Sequence, residues 1–292
     1  MRIGENARKC VIFFGVPTPE KPVEYAGTGF LVNYHEQNLP FGFLVTARHV
    51  ASALQKHEDT GFTLRMNRKG GSSTQIIITE APWRFHPDKT VDVAASPITI
   101  PDDADQVFYE LEDDNVVDYE KINNDVICGD IINIVGLFRL HAGSQRNVPI
   151  VHTGNIAALP DAVERIPMRD RATNQLVETE AYLIEAQTLE GLSGSPVFVH
   201  SIWSLGSYPM REGTHPRVLG GVKLLGLYSG AWDGEPGTIL AADRNLSGGK
   251  RVPVGMGIVV PAKKIVELIR DDPEFKSGRQ KIIRDINSGR NA

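Results

Sequence analysis

Short runs of β-branched and aromatic residues, set off by Gly, Pro, Asn and Asp, predict an all-β chain built as a barrel or sandwich. Several of these runs alternate apolar with polar residues, as a half-buried strand does. They fall into two strand-rich halves, with the acidic stretch PDDADQVFYELEDDNVVDYEKINND (residues 101–125) between them. That stretch reads as a solvated connection between two barrels, with an acidic docking patch as the other reading.

In chain order, the expected strands of the first half are KCVIFFGV, GTGFLVNY, FGFLVTA, FTLRMN and TQIIITEA. Those of the second are VICGDIINIVGLF, NVPIVHTGNI, AYLIEAQ, GSPVFVH, VKLLGLYSGA and VGMGIVV. Two segments carry a helical period instead. HVASALQKH is one, and it is short. PAKKIVELIRD is the other, with Pro261 at its start and Ile265, Leu268 and Ile269 on one face. The segment LPDAVERIPMRDRATNQLVETE (residues 159–180) reads as a polar loop between strands, and the tail from Asp271 as a polar extension of mixed charge. Within that tail Ile282, Ile283 and Ile286 suggest a short amphipathic turn.

At 292 residues the chain is long enough for one large or two small domains with a sizeable core. A net charge of −5 gives no electrostatic reason to expect a nucleic-acid partner. Apolar runs such as CVIFF are too short to span a bilayer, so no membrane partner is expected. CVIFFGV passes at once into PTPEKP with no cleavage-site pattern, so a cytoplasmic location is expected. Two cysteines, Cys10 and Cys128, are too few for a disulfide framework, and free, mostly buried thiols are expected. They also provide no metal site, and no metal or organic cofactor is expected.

Three local motifs carry chemistry. TARHV places His49 directly behind the apolar run FGFLV. Alone, such a histidine is more often a satisfied core residue than a proton carrier. VDVAA holds Asp92 among apolar neighbours, where a carboxylate is costly without a partner, and a histidine N–H is a suitable one. A strand-edge Asp facing solvent is the bland alternative, and the neighbouring His86 and Asp88 sit in a turn-like HPDK. LEGLSGSPVFV places Ser193 between Gly191 and Gly194. Flanking glycines let a backbone turn sharply and aim N–H groups at a bound carbonyl, although a plain turn of small residues would look similar.

His49, Asp92 and Ser193 follow one another in that order, and the set resembles the trypsin-like serine peptidases of the chymotrypsin fold. GTGFLV before the histidine, GDIINIVGL in the second half and LLGLYSGA at residues 224–231 match other strands of that family. VGMGIVVPAKKIVELI is similar to the closing strand and helix of bacterial HtrA-like members, without a PDZ-like extension. The resemblance implies two six-stranded antiparallel β-barrels with a C-terminal helix. The first would span residues 10–115 and carry His49 and Asp92. The second would span 116–270 and carry Ser193 and the closing helix, leaving 271–292 as the polar tail. It further implies His49 as base, Asp92 as its orienting acid, Ser193 as nucleophile, and the N–H groups of Gly191 and Ser193 as the oxyanion hole. The substrate pocket would take Gln187 at its floor and Ser229, Gly230 and Ala231 along its wall. A neutral Gln187 argues against a demand for Lys or Arg, so small or medium side chains are expected; a shift of one residue would put Ala186 or Thr188 there. Leu192 and Ser195 depart from the Asp and Gly common in the family's nucleophile motif. An esterase elbow, GxSxG, fails at Ser195, and its Ser, acid, His order is the reverse of the one seen here. A serine endopeptidase acting on a protein or peptide substrate is therefore expected. The alternatives are a protease-fold binding module with weak or unused catalysis and a protease that works only with a regulatory protein partner.

Overall fold

A computed structural model of the chain describes residues 3–18, 23–57, 60–120, 126–169, 175–187, 189–200, 222–234 and 252–289. Thr188 lies outside them. The first half opens with α1 (Glu5–Lys9), β1 (Val11–Val16), β2 (Glu24–Glu36) and β3 (Leu39–Thr46). It continues with α2 (Arg48–Gln55), β4 (Phe62–Asn67), β5 (Ser73–Ile78), β6 (Arg84–Phe85), β7 (Ala94–Pro97) and β8 (Tyr109–Glu110). The second half carries β9 (Ile131–Gly136), β10 (Ile150–Ala158), β11 (Ile166–Arg169), β12 (Leu176–Thr179) and β13 (Tyr182–Glu185). β14 (Pro196–His200), β15 (Val222–Gly234), β16 (Val252–Pro261), α3 (Ala262–Asp271) and α4 (Pro273–Asn287) complete it.

The second half closes as a six-stranded antiparallel barrel in the order β10, β13, β16, β15, β14, β9. The first half is antiparallel too, but it is an eight-stranded sheet in the order β5, β4, β1, β2, β3, β7, β6, with β8 added to β2 in parallel. Its hydrogen-bonded path stays open among the described residues, whereas a six-stranded barrel was expected. The reason is local: β6 offers only two residues to a partner, and β5 turns Ile77 to solvent.

Strand alternation feeds two cores at once. On β9, Ile132 and Ile134 point into the barrel while Val135 faces the other half. β14 divides in the same way, with Val197 and Val199 inside and Phe198 outside. The outward set packs with Phe13, Phe14, Phe30 and Leu31 of the first sheet and with Ile265, Leu268 and Ile269 of α3. Both halves thus share one core, which fixes the residues that line the seam between them.

The acidic connection is tacked down rather than simply solvated. Leu111 N–H donates to Asn33 O, Val117 N–H to Leu224 O, and Leu224 N–H back to Asn115 O. Residues 159–180 are not a loop alone, since β11 and β12 pair as an antiparallel hairpin. The tail also departs from expectation. Asp272 caps α4 by accepting from the Glu274 and Phe275 N–H groups, and Pro273 opens the helix. Phe275, Arg279 and Ile283, spaced by four, are buried. Phe275 packs on Phe43 with ring centroids 4.9 Å apart, and Arg279 donates to Glu36 and to the Ile269 and Arg270 carbonyls at the end of α3. Among the described residues no helix is long and apolar enough to cross a membrane. Both cysteines are free. Cys10 is buried as expected, but Cys128 is exposed.

Candidate active site

β3 runs into α2 and places His49 in the first turn of that helix. Asp92 ends the short turn before β7, between the buried Val91 and Val93. Their meeting is tight. His49 Nδ1 lies 2.8 Å from Asp92 Oδ2, and the His49 backbone N–H donates to Asp92 Oδ1 at 3.0 Å. The Ser229 hydroxyl donates to the same carboxylate at 2.5 Å. Burial pushes the Asp92 carboxyl up, but the His49 ring, the Ser229 hydroxyl and the His49 N–H outweigh it and hold the group at about 2. An ionised Asp92 only accepts, so the facing Nδ1 carries the hydrogen, and in the neutral ring the lone pair falls to Nε2.

The sign of this shift gives a stability prediction. Asp92 titrates lower folded than unfolded, so its contribution is complete above the unfolded value of about 4 and is lost as pH falls toward about 2. Urea unfolding of wild type should show a loss of stability across that window which Asp92→Asn lacks; equal slopes would contradict it.

The neighbours in HPDK have other work. Asp88 Oδ1 accepts from both the N–H and the hydroxyl of Thr90, holding the turn. His86 is buried and faces Glu267 at 3.4 Å, on α3.

Ser193 sits on the turn that leads into β14. Gly194 has φ +86°, and a Cβ there would stand 2.1 Å from the Thr28 carbonyl oxygen and 2.3 Å from Thr46 Oγ1, so only glycine fits. The turn is stitched to both halves. Thr28 N–H donates to Ser193 O, Gly194 N–H to Tyr228 O, and Ser195 N–H to Leu192 O. Thr28 also donates its hydroxyl to Gly191 O at 2.7 Å. The N–H groups of Gly191 and Ser193 have no acceptor among the described residues. Glu190 O accepts from Arg139 N–H at 3.3 Å, which turns the N–H on the other side of that planar peptide, the one of Gly191, away from Arg139.

Both departures from the usual nucleophile motif have a packing reason. Leu192 is wholly buried and joins the barrel core. Ser195, also buried, fills space left by Gly136, where a Cβ would lie 1.9 Å from its hydroxyl oxygen. Leu192→Ala should therefore cost about 2–5 kcal/mol in urea unfolding, as for other fully buried leucines. A loss below about 0.5 kcal/mol would mean that Leu192 does not hold the turn by burial.

His49, Gly191 and Ser193 line one cleft of about 600 Å3 between the halves, with Tyr228, Gly230 and Ala231 along β15. Two expected pocket residues lie elsewhere. Ser229 alternates to the far side of β15, is buried, and spends its hydroxyl on Asp92; only its carbonyl faces Ser193, accepting from Ser193 Oγ at 3.3 Å. Gln187 is exposed and outside the cleft lining, because the alternation after β13 turns Ala186 inward and Gln187 out. Thr28, Leu137 and Arg139 were missed as supports of the turn. The polar threonine inside the apolar GTGFLV was the available signal for the first of them.

No family model and no curated protein matches the chain. Among solved structures it is similar to the Rv3671c protease from M. tuberculosis in its active form. The identity is 14% and the TM-score 0.46, over 91% of this chain and 82% of that one.

Proposed function

We propose that the chain is a trypsin-like serine endopeptidase, of a type near the HtrA-like members, that cleaves peptide bonds through an acyl-enzyme. The observation that carries this reading is that His49, held by the buried Asp92 at 2.8 Å, lines the same cleft as Ser193. In this mechanism the Ser193 hydroxyl exchanges its long bond to Ser229 O for one to His49 Nε2. Its oxygen attacks the substrate carbonyl as the proton passes to His49. The resulting oxyanion takes the N–H groups of Gly191 and Ser193, and Asp92 stabilises the imidazolium that forms. His49 then gives the proton to the leaving amine, and water repeats the sequence to release the acid. Gly230 and Ala231 leave room beside the nucleophile for a small or medium side chain. A partner that drives the exchange at Ser193 would make the same chain a gated protease.

The test is a fluorophosphonate probe, which phosphonylates an activated serine. Labelling of the intact chain at Ser193, located by peptide mass spectrometry, is expected. Failure to label with and without candidate partner fractions would leave the binding-module reading in its place.

A further inference from the structure

The segment after β9 underlies the turn that holds Gly191. Leu137 is buried, its N–H donates to Thr28 Oγ1, and its carbonyl oxygen would stand 3.0 Å from a Cβ on Gly191. Two residues on, Arg139 N–H meets Glu190 O. Arg139 also pairs through its guanidinium with Glu24 and, at 3.4 Å, with Glu190. The backbone that orients the Gly191 N–H is therefore set by where residues 137–139 lie.

The far end of this segment is gripped from the other half. Arg65 on β4 is 3% exposed, and its guanidinium reaches across into residues 142–147. Nε donates to Asn147 Oδ1 at 2.5 Å, Nη1 to Gly143 O at 2.8 Å, and Nη2 to Ala142 O and, at 3.4 Å, to Arg146 O. The Tyr25 ring covers it at 4.1 Å. Asn147 answers by donating Nδ2 to Arg65 O at 2.6 Å, and Asn67 Oδ1 and Nδ2 close on the Asn147 backbone at 2.7 and 3.1 Å. Gly143, at φ +82°, lets the loop fold around the guanidinium. A planar donor fork that satisfies several carbonyls at once is a task that lysine cannot reproduce.

We propose that Arg65 is a positioning residue for the oxyanion hole, acting through residues 137–147 on the Gly191 N–H. Leu192, apolar and buried, offers the turn packing but no polar side-chain contact, so the polar hold reaches it from the first half of the chain. The inference rests on the proposed peptidase reading. Charge at the cleft is not the agent, since Arg65 is outside the cleft lining.

The experiment compares wild type with Arg65→Lys and Asn147→Ala on a matched oxoester and thionoester, with thermal unfolding run on each sample. A sulfur at the carbonyl position accepts weakly from N–H donors, so a thionoester draws little help from the hole. Misplacing one donor should lower kcat for the oxoester about 10–100-fold in Arg65→Lys, with KM and thionoester turnover changed less than about threefold. Asn147→Ala should show the same selective loss in smaller degree. Equal losses on both substrates, or an oxoester kcat at the wild-type level in folded Arg65→Lys, would overturn the role. Selective loss in the absence of Ser193 labelling in wild type is not available: an unlabelled wild type removes the peptidase reading and this role with it.

Discussion

Ser193→Ala is expected to abolish peptide hydrolysis and fluorophosphonate labelling while leaving the fold in place. Removing the nucleophile of a Ser-His-Asp set costs roughly 10^6-fold in turnover, because the base and acid then have nothing to act on. Stability should change by less than about 1 kcal/mol, the scale of a single net hydrogen bond. The hydroxyl makes one long bond, to Ser229 O, whereas the turn is held by backbone bonds from Thr28, Gly194 and Ser195 that alanine keeps. Hydrolysis of a fluorogenic peptide library and urea unfolding on the same preparation check both halves. Undiminished cleavage by the variant would place the nucleophile elsewhere.

How much of this could be read from residues alone depended on whether the cause was local. His49, Asp92 and the glycines around Ser193 were legible because each stands in a short motif whose chemistry is unusual for its surroundings. Asp92 is the clearest case, a carboxylate between buried valines that demands a donor, and the structure supplies His49 and Ser229. The barrel strands of the second half were legible for a related reason: each is a short apolar run, and β9, β14, β15 and β16 send residues into both apolar cores. Ser229 shows where that stops. Its neighbours Gly230 and Ala231 line the cleft, but the face that Ser229 takes depends on the register of β15. Helix α4 was missed because its buried face includes Arg279, which composition scores as surface. The Asp272 and Pro273 pair was the overlooked start signal. Arg65 carried no signal at all, because its partners lie far along the chain.

Asp92→Asn should lower turnover by about 10^4-fold, the magnitude known for the same change in Ser-His-Asp sets. The cause is the tautomer rather than lost contact. Asp92 accepts from His49 Nδ1, from His49 N–H and from Ser229 Oγ, and all three bonds suit an acceptor-only carboxylate. An asparagine turned to keep its oxygen on the His49 backbone N–H presents its amide N–H to Nδ1. The ring hydrogen then moves to Nε2, which can no longer take the Ser193 proton. Binding of substrate does not use Asp92, so the loss should fall on kcat with KM nearly constant. Asp88→Asn is the internal control. Its oxygen accepts from the Thr90 N–H and hydroxyl, which an asparagine oxygen also does, so turnover should stay within about threefold. Steady-state kinetics of the two variants separate the carboxylates. If Asp88→Asn were the damaging change, the HPDK turn and not VDVAA would supply the acid. If both were silent, the tight contact of His49 with Asp92 would be a structural pair alone, and the cleft would have to be read as a binding surface.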